Sequence, residues 1–168
     1  MKVSIFGYPN SNYHENAEKL AEIFGCSLYT AEEAAKISIW DIPGPWVVEG
    51  LGEYEFFDKQ LYASDMCVFY DPPAFKCAMN ALKSKSSFAR VVNALLFDRK
   101  GPLGLVIRDT SNDYKKKYIT INNKKQWEDF LKGANKLASG VNRSAVPQKI
   151  EIPEDDAPED LPKSKYDE

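Results

Sequence analysis

Histidine is nearly absent from this chain: His14 is the single one among 168 residues. That excludes any mechanism needing two histidines, and most zinc sites. Cysteine is scarce as well. Cys26, Cys67 and Cys77 form an odd set with no C-x-x-C spacing, which argues against both a disulfide framework and a zinc cluster. Long apolar runs are missing: none approaches the roughly 18 residues that a membrane-spanning helix needs. The opening Met1-Lys2-Val3-Ser4-Ile5-Phe6 lacks the long apolar centre and small-residue cleavage site of a secretory signal, and Gly7-Tyr8-Pro9-Asn10 interrupts it at once. It reads as the first strand of a cytoplasmic protein. Neither G-x-G-x-x-G nor G-x-x-x-x-G-K-[ST] occurs, so a glycine-rich phosphate motif is also missing.

What is present suits one domain with a real core. The hydrophobic fraction is 43%, ordinary for a globular chain. Net charge is −3 but unevenly spread. Residues 151–168 carry eight acids against Lys163 and Lys165, a balance of −6, which leaves +3 on residues 1–150. A mildly basic body suits an anionic ligand, with the acidic tail as competitor or as a solubilising segment. With four prolines from Pro147 onward and little apolar content, residues 146–168 read as a disordered acidic tail behind a domain of residues 1–145.

Along the body, apolar strand patterns alternate with amphipathic helical ones. Lys2–Phe6 is a strand followed by the turn-forming Gly7-Tyr8-Pro9-Asn10-Ser11-Asn12. A helix over about 13–24 follows, with Ala17, Leu20, Ala21 and Phe24 on one face, Asn12 as N-cap, Glu15 as capping-box partner and Gly25 as stop. Cys26–Tyr29 reads as a strand, Thr30 as the cap of a short helix, and Ile37–Trp40 as a further short strand. Asp41–Gly52 reads as a loop whose Trp46-Val47-Val48 packs onto the body. A helix over 53–63 places Tyr54, Phe57, Leu61 and Tyr62 on one side. Met66–Tyr70 is a buried strand closed by Asp71-Pro72-Pro73. A loop then leads to a helix over 86–97 that buries Phe88, Val91, Val92, Leu95 and Leu96. Leu103–Ile107 reads as a strand, 108–113 as a polar loop, and Tyr118–Ile121 as another strand. The last helix is capped by Asn122 or Asn123 and faces inward with Trp127, Phe130, Leu131, Ala134 and Ala138. The alternation predicts a single Rossmann-like α/β domain, a three-layer sandwich with a mostly parallel sheet.

In such a fold, ligands sit in the crevice outside the carboxyl ends of the strands. This puts Gly7, Tyr8, Asn10 and Ser11 of the first loop, and Tyr70 at the end of the 66–70 strand, at the crevice. Arg90 stands near the start of an otherwise apolar helix, where it either clamps a diphosphate in bidentate fashion or pairs with a surface carboxylate. Ser87, with Lys83, Lys85 and Ser86, would add anion contacts or form a solvated loop. Asp71 is either a catalytic base or a hydroxyl-binding acid, or a turn residue before two prolines. Asp109 and Asp113 are loop carboxylates without a visible partner, and His14 lies at the start of the first helix.

Gly7-Tyr8-Pro9-Asn10 resembles the start of a P-loop, but the Lys-Ser/Thr pair that touches phosphate and metal is missing, and a P-loop NTPase is rejected. The same loop lacks the Ser, Thr and Gly of a flavodoxin phosphate loop. From Tyr54 to Ala138 the order of elements resembles the C-terminal, nucleotide-sugar-binding half of GT-B glycosyltransferases. YASDMCVFY is similar to the family's A-D-x-x-V strand, SSFARVVNALLF to its diphosphate-facing helix, PLGLVI to its G-x-P-V-I strand, and YITINN with KKQWEDFLKGANKL to its last strand and helix. Arg90-Val91 is similar to an Arg-Val pair of phage DNA glucosyltransferases. The resemblance implies a nucleoside diphosphate or nucleotide-sugar as ligand, Arg90 on the diphosphate and Asn93 where the family offers a Glu to the ribose. It implies a separate protein partner supplying the acceptor-binding domain, and nucleic acid as partner only if the acceptor is DNA. KVSIFGYPN with FDKQLYASDMCVFYDPP is similar to nucleoside deoxyribosyltransferases, where Asp71 is the one carboxylate near the position of their nucleophile. A third reading is a non-enzymatic interaction module with an aromatic surface around Trp40, Trp46, Tyr54, Phe56 and Phe57.

Overall fold

A computed structural model describes residues 1–83, 88–97 and 101–140. Within it, β1 (Lys2–Gly7), β2 (Ser27–Thr30), β3 (Trp46–Glu49), β4 (Met66–Tyr70) and β5 (Tyr118–Ile121) form one sheet in the order β2-β3-β1-β4-β5. Every neighbouring pair is parallel. Around it lie α1 (Tyr13–Phe24), α2 (Ala31–Ile37), α3 (Tyr54–Ala63), α4 (Ala74–Lys83), α5 (Phe88–Leu96), α6 (Pro102–Asp113) and α7 (Lys124–Gly140). The three-layer α/β sandwich expected from the alternation is what the chain forms. The acidic tail 146–168 lies outside the described residues. No helix among them is long and apolar enough to cross a membrane.

Strand alternation splits the core into two layers, because successive side chains point to opposite faces. Val3, Ile5, Val47, Val68 and Ile121 meet Ala17 and Leu20 of α1 and Trp127 and Ala134 of α7. On the other face Phe6, Cys67 and Phe69 meet Phe57 and Leu61 of α3 and Ile107 of α6. Tyr29, Trp46 and Val48 pack with α2 at the β2 edge. Burying a reduced thiol among these side chains pushes Cys67 up to about 11, so it behaves as a small hydrophobe.

Several expectations are corrected. Trp46–Glu49 is not part of a loop but strand β3, fully buried between β2 and β1; a strand covered on both faces reads as a short continuous apolar run. Leu103–Ile107 is not a strand. It lies in α6, with Pro102 in the first turn, the Leu105 N–H donating to Gly101 O at 3.0 Å, and Thr110 donating to Val106 O at 2.8 Å. Pro at that place starts a helix rather than ending a connection. Ile37 closes α2, and Ser38 follows with φ +74°, so no strand forms over 37–40. Ala74–Lys83, read as loop, is α4. Its buried face is Cys77, Ala78 and Ala81 packed on Val91 and Ala94 of α5, while its larger apolar residues Phe75, Met79 and Leu82 are exposed. On α5 the described buried residues are Val91 and Ala94, and Leu95 and Leu96 face outward. On α3, Tyr62 is exposed, and the described buried residues are Phe57, Gln60 and Leu61; the side chains of Phe88 and Tyr54 lie outside the described ones.

The caps divide as well. Thr30 forms a full capping box with Glu33, and Gly25 closes α1 in the left-handed conformation. Asn123 Oδ1 accepts from the Gln126 N–H at the start of α7. Asn12, by contrast, precedes α1 with φ 63° and makes no side-chain cap hydrogen bond, so the box with Glu15 does not form.

Candidate functional site

The chain leaves β1 through α1, on the α1/α7 side, and goes on to β2 and β3, whereas its path from β4 to β5 passes through α6 on the opposite side. Adjacent strands β1 and β4 thus send their connections to opposite sides, which opens a crevice at their carboxyl ends. Gly7 and Tyr70 pair there. The loop from Tyr8 to Asn12 closes over it with a turn, Ser11 N–H donating to Tyr8 O at 3.1 Å, and with Asn10 and Asn12 both left-handed. Asn80 of α4 donates to Asn10 O at 3.1 Å and ties the loop to the helical pair above it.

Across from that loop, α5 completes a cleft of about 460 Å³ lined by Pro9, Asn10, Arg90, Asn93, Leu96 and Phe97. Three residues singled out in sequence, Asn10, Arg90 and Asn93, are thereby brought together. Arg90 and Asn93 lie one turn apart and both are exposed. Gly7 and Ser11 lie beneath the loop, where Gly7 is forced by space. A Cβ there would meet the Ser11 hydroxyl and come within 2.5 Å of the Tyr70 carbonyl oxygen. Ser11 is buried, and its hydroxyl has no hydrogen-bond partner among the described residues.

Other expected site residues do not reach the cleft. Tyr8 turns inward, its ring 5.2 Å from those of both Phe69 and Phe97. Tyr70 faces the opposite layer, 6.1 Å from Trp127, and its phenol is held above the ordinary range by burial, against a hydrogen bond from Asn16. Asp71 donates its backbone N–H to Ile121 O at 2.8 Å and lines neither this cleft nor the cavity under α6. Asp109 and Asp113 belong to α6 rather than to a loop. Ser87, with Lys85 and Ser86, lies outside the described residues.

One pair was missed in sequence. His14 Nδ1 lies 2.7 Å from the carboxylate of Glu49, the last residue of β3. The Glu49 hydrogen bond raises the His14 pKa above 6.5 against a smaller effect of burial, with help from Glu18 and Glu15. Glu49 is buried, so His14 supplies the partner that a buried carboxylate requires. A signal existed. Gly7-x4-Asn12-Tyr13-His14 keeps the eight-residue spacing of G-x-x-x-x-G-K-[ST]. Asn12 holds the left-handed conformation that glycine adopts most easily. At the positions where that motif has Lys and Ser/Thr, this chain has Tyr13, its phenol raised by burial and by Glu49, and His14. The loop therefore shares the spacing of that motif without its cation or its metal-ligating oxygen. Among the described residues no group of three or more His, Cys, Asp or Glu is placed to hold a metal ion.

No family model and no curated protein matches the chain. Among solved structures it is similar to a gluconokinase from Sinorhizobium meliloti 1021, at 14% identity over 82% of this chain and 93% of that one, with a TM-score of 0.48. It is similar as well to an uncharacterized protein from Eubacterium ventriosum ATCC 27560, at 12% identity over 81% of this chain and 98% of that one, also with a TM-score of 0.48. Likeness of this degree carries no information on function.

Proposed function

We propose that this chain binds a nucleoside diphosphate, free or as a nucleotide-sugar, in the cleft between the first loop and α5. One observation carries the reading: Asn10, Arg90 and Asn93 line a single cleft at the carboxyl edge of a parallel sheet. Arg90 contributes a planar five-donor fork suited to a diphosphate, and Asn93 offers both donor and acceptor to a ribose. In its finer form the proposal makes the chain the nucleotide-binding half of a GT-B-like glycosyltransferase, with the acceptor held by a separate domain. The helical state of Leu103–Ile107 removes one of the matched segments, so the finer form rests on the 54–70, 88–96 and 118–138 segments and on Arg90. The deoxyribosyltransferase alternative is not favoured, because Asp71 does not line the cleft.

The test is thermal denaturation with UDP, ADP, UDP-glucose and free uridine. Ligand at 100 times its Kd stabilises by about 2.7 kcal/mol. Diphosphates and nucleotide-sugars should raise the Tm by several degrees, and uridine should not. Arg90→Ala should weaken diphosphate binding by about 1.5–3 kcal/mol at unchanged Tm of the free protein. No shift with any nucleotide overturns the proposal and leaves the interaction-module reading. A shift with uridine alone supports N-glycosidic chemistry instead.

A further inference from the structure

On the other side of Tyr8, between α6 and the sheet, lies a second cavity of about 410 Å³. Its walls are apolar and largely aromatic: Tyr8, Phe69, Tyr118 and Ile107. The Tyr8 and Phe69 rings meet edge to face at 5.2 Å, and Phe69 and Tyr118 lie 6.4 Å apart, tilted by 47°. These rings touch one another and form a continuous aromatic wall, against whose open side another ring can pack offset or edge-on. The helix contributes Gly104, Ile107, Arg108 and Ser111, spaced i, i+3, i+4 and i+7 along one face of α6. Glycine inside a helix is unfavourable relative to alanine, and Gly104 stands in the cavity wall.

Polar groups complete the site. Arg108 lines the cavity, and its ion pair with Asp109, 3.6 Å from Nε, is solvent-exposed and therefore weak. Thr120 and Ser111 also line it. The Tyr118 hydroxyl is buried and has no hydrogen-bond partner among the described residues, a condition that is rare in folded proteins and calls for an explanation. Burial holds its proton far more tightly than in a free phenol, so the group is a standing donor.

We propose that this cavity is a second binding site, distinct from the Arg90 cleft, for a planar aromatic molecule carrying an anionic group: the ring lies against the wall formed by Tyr8, Phe69 and Tyr118, and the anion meets Arg108. The volume falls within the range of small-ligand pockets, and a mostly apolar lining with a few convergent polar groups is their usual character. Nothing in this assignment depends on the nucleotide reading, because the two cavities share no lining residue.

The experiment is an amide NMR titration of the full chain with 2-naphthoate, repeated with the neutral 2-naphthylmethanol and with UDP. The expected result is saturable shifts from 2-naphthoate at Phe69, Ile107, Arg108, Ser111 and Tyr118, with the Arg90 and Asn93 amides unmoved. Arg108→Ala, an exposed change that leaves the core intact, should weaken 2-naphthoate binding about tenfold or more, as for loss of a charge-assisted hydrogen bond, and leave the neutral analogue's affinity within about twofold. Tyr118→Phe should weaken binding without lowering the Tm of the free protein. Three results each overturn the proposal: no saturable shifts; equal weakening of the acid and its neutral analogue by Arg108→Ala; or UDP shifting both cavities together, which would make them one site. Failure of UDP to bind at all would sink the nucleotide reading and leave this one standing.

Discussion

Replacing Gly7 by alanine adds one methyl group at the point where β1, β4 and the first loop meet. Gly7 closes β1 opposite Tyr70 in the parallel ladder. The added Cβ would lie 2.5 Å from the Tyr70 carbonyl oxygen and against the Ser11 hydroxyl. The hydroxyl can rotate away, but the carbonyl is backbone within a strand paired on both sides. Relief requires the strands to part locally by roughly half an ångström, in the manner of an overpacked core, which costs about 1–3 kcal/mol. At roughly 2–4 °C per kcal/mol for a domain of about this size, the Tm should fall by about 2–12 °C. Gly133→Ala is the control. It makes the same chemical change at an exposed position inside α7, where a Cβ would have nothing within 4 Å, and it should stabilise by up to about 1 kcal/mol through helix propensity. Circular-dichroism melts of the two variants should therefore move in opposite directions. Adding Ser11→Ala to Gly7→Ala should recover little, because the carbonyl contact remains. A Gly7→Ala protein that melts at or above the wild-type temperature would refute the close approach of β1 and β4.

Two further outcomes follow from the same region. His14 has a folded pKa above its unfolded 6.5, owing first to the Glu49 hydrogen bond. The pair's stabilisation is therefore complete below pH 6.5 and is lost as pH rises through the folded value. Because His14 is largely exposed, the contribution is at most about 1 kcal/mol. The Tm gap between wild type and His14→Ala should be larger at pH 5.5 than at pH 9, and an equal gap would show that the ion pair contributes nothing. Ser11→Ala removes a buried hydroxyl that has no partner among the described residues and should leave stability unchanged or slightly higher. A loss above about 1 kcal/mol would mean that the hydroxyl is hydrogen-bonded in solution.

The elements legible in sequence were those whose burial follows large side chains. α1 showed Ala17, Leu20 and Ala21 at helical spacing, α7 showed Trp127 and Ala134, and β4 showed five apolar residues closed by two prolines. All are found as expected. The failures have separate causes. α4 buries Cys77, Ala78 and Ala81 and exposes Phe75, Met79 and Leu82, so the hydrophobic signal lay on the wrong side of the helix. α6 carries Leu-Val-Ile ahead of a polar end, and a short apolar run does not tell strand from helix. β3 has four residues between glycine- and proline-rich turns. At the site, Arg90 was legible because a charge at the start of an apolar helix is conspicuous. Glu49 was not, because its strand was read as loop, and without Glu49 His14 had no partner to reveal its role.

Shape and chemistry have separate origins at this crevice. The outline of the first loop depends on backbone: Gly7 allows β1 to approach the Tyr70 carbonyl, and Asn12 turns the chain left-handed into α1. These requirements can be met by a Gly-x4-Asn spacing whatever side chains follow. The charge that a phosphate would meet depends on side chains, and at Tyr13 and His14 they offer a neutral phenol and an imidazole already committed to Glu49. Under the proposed function the cation therefore has to come from across the crevice, and Arg90 on α5 stands in the cleft with Asn10 of that loop. A ligand held this way is gripped between the loop and the α4–α5 pair rather than cradled by the loop alone. Its binding then depends on how firmly Asn80 and Asn10 O hold α4 against the loop, as well as on the charge of Arg90.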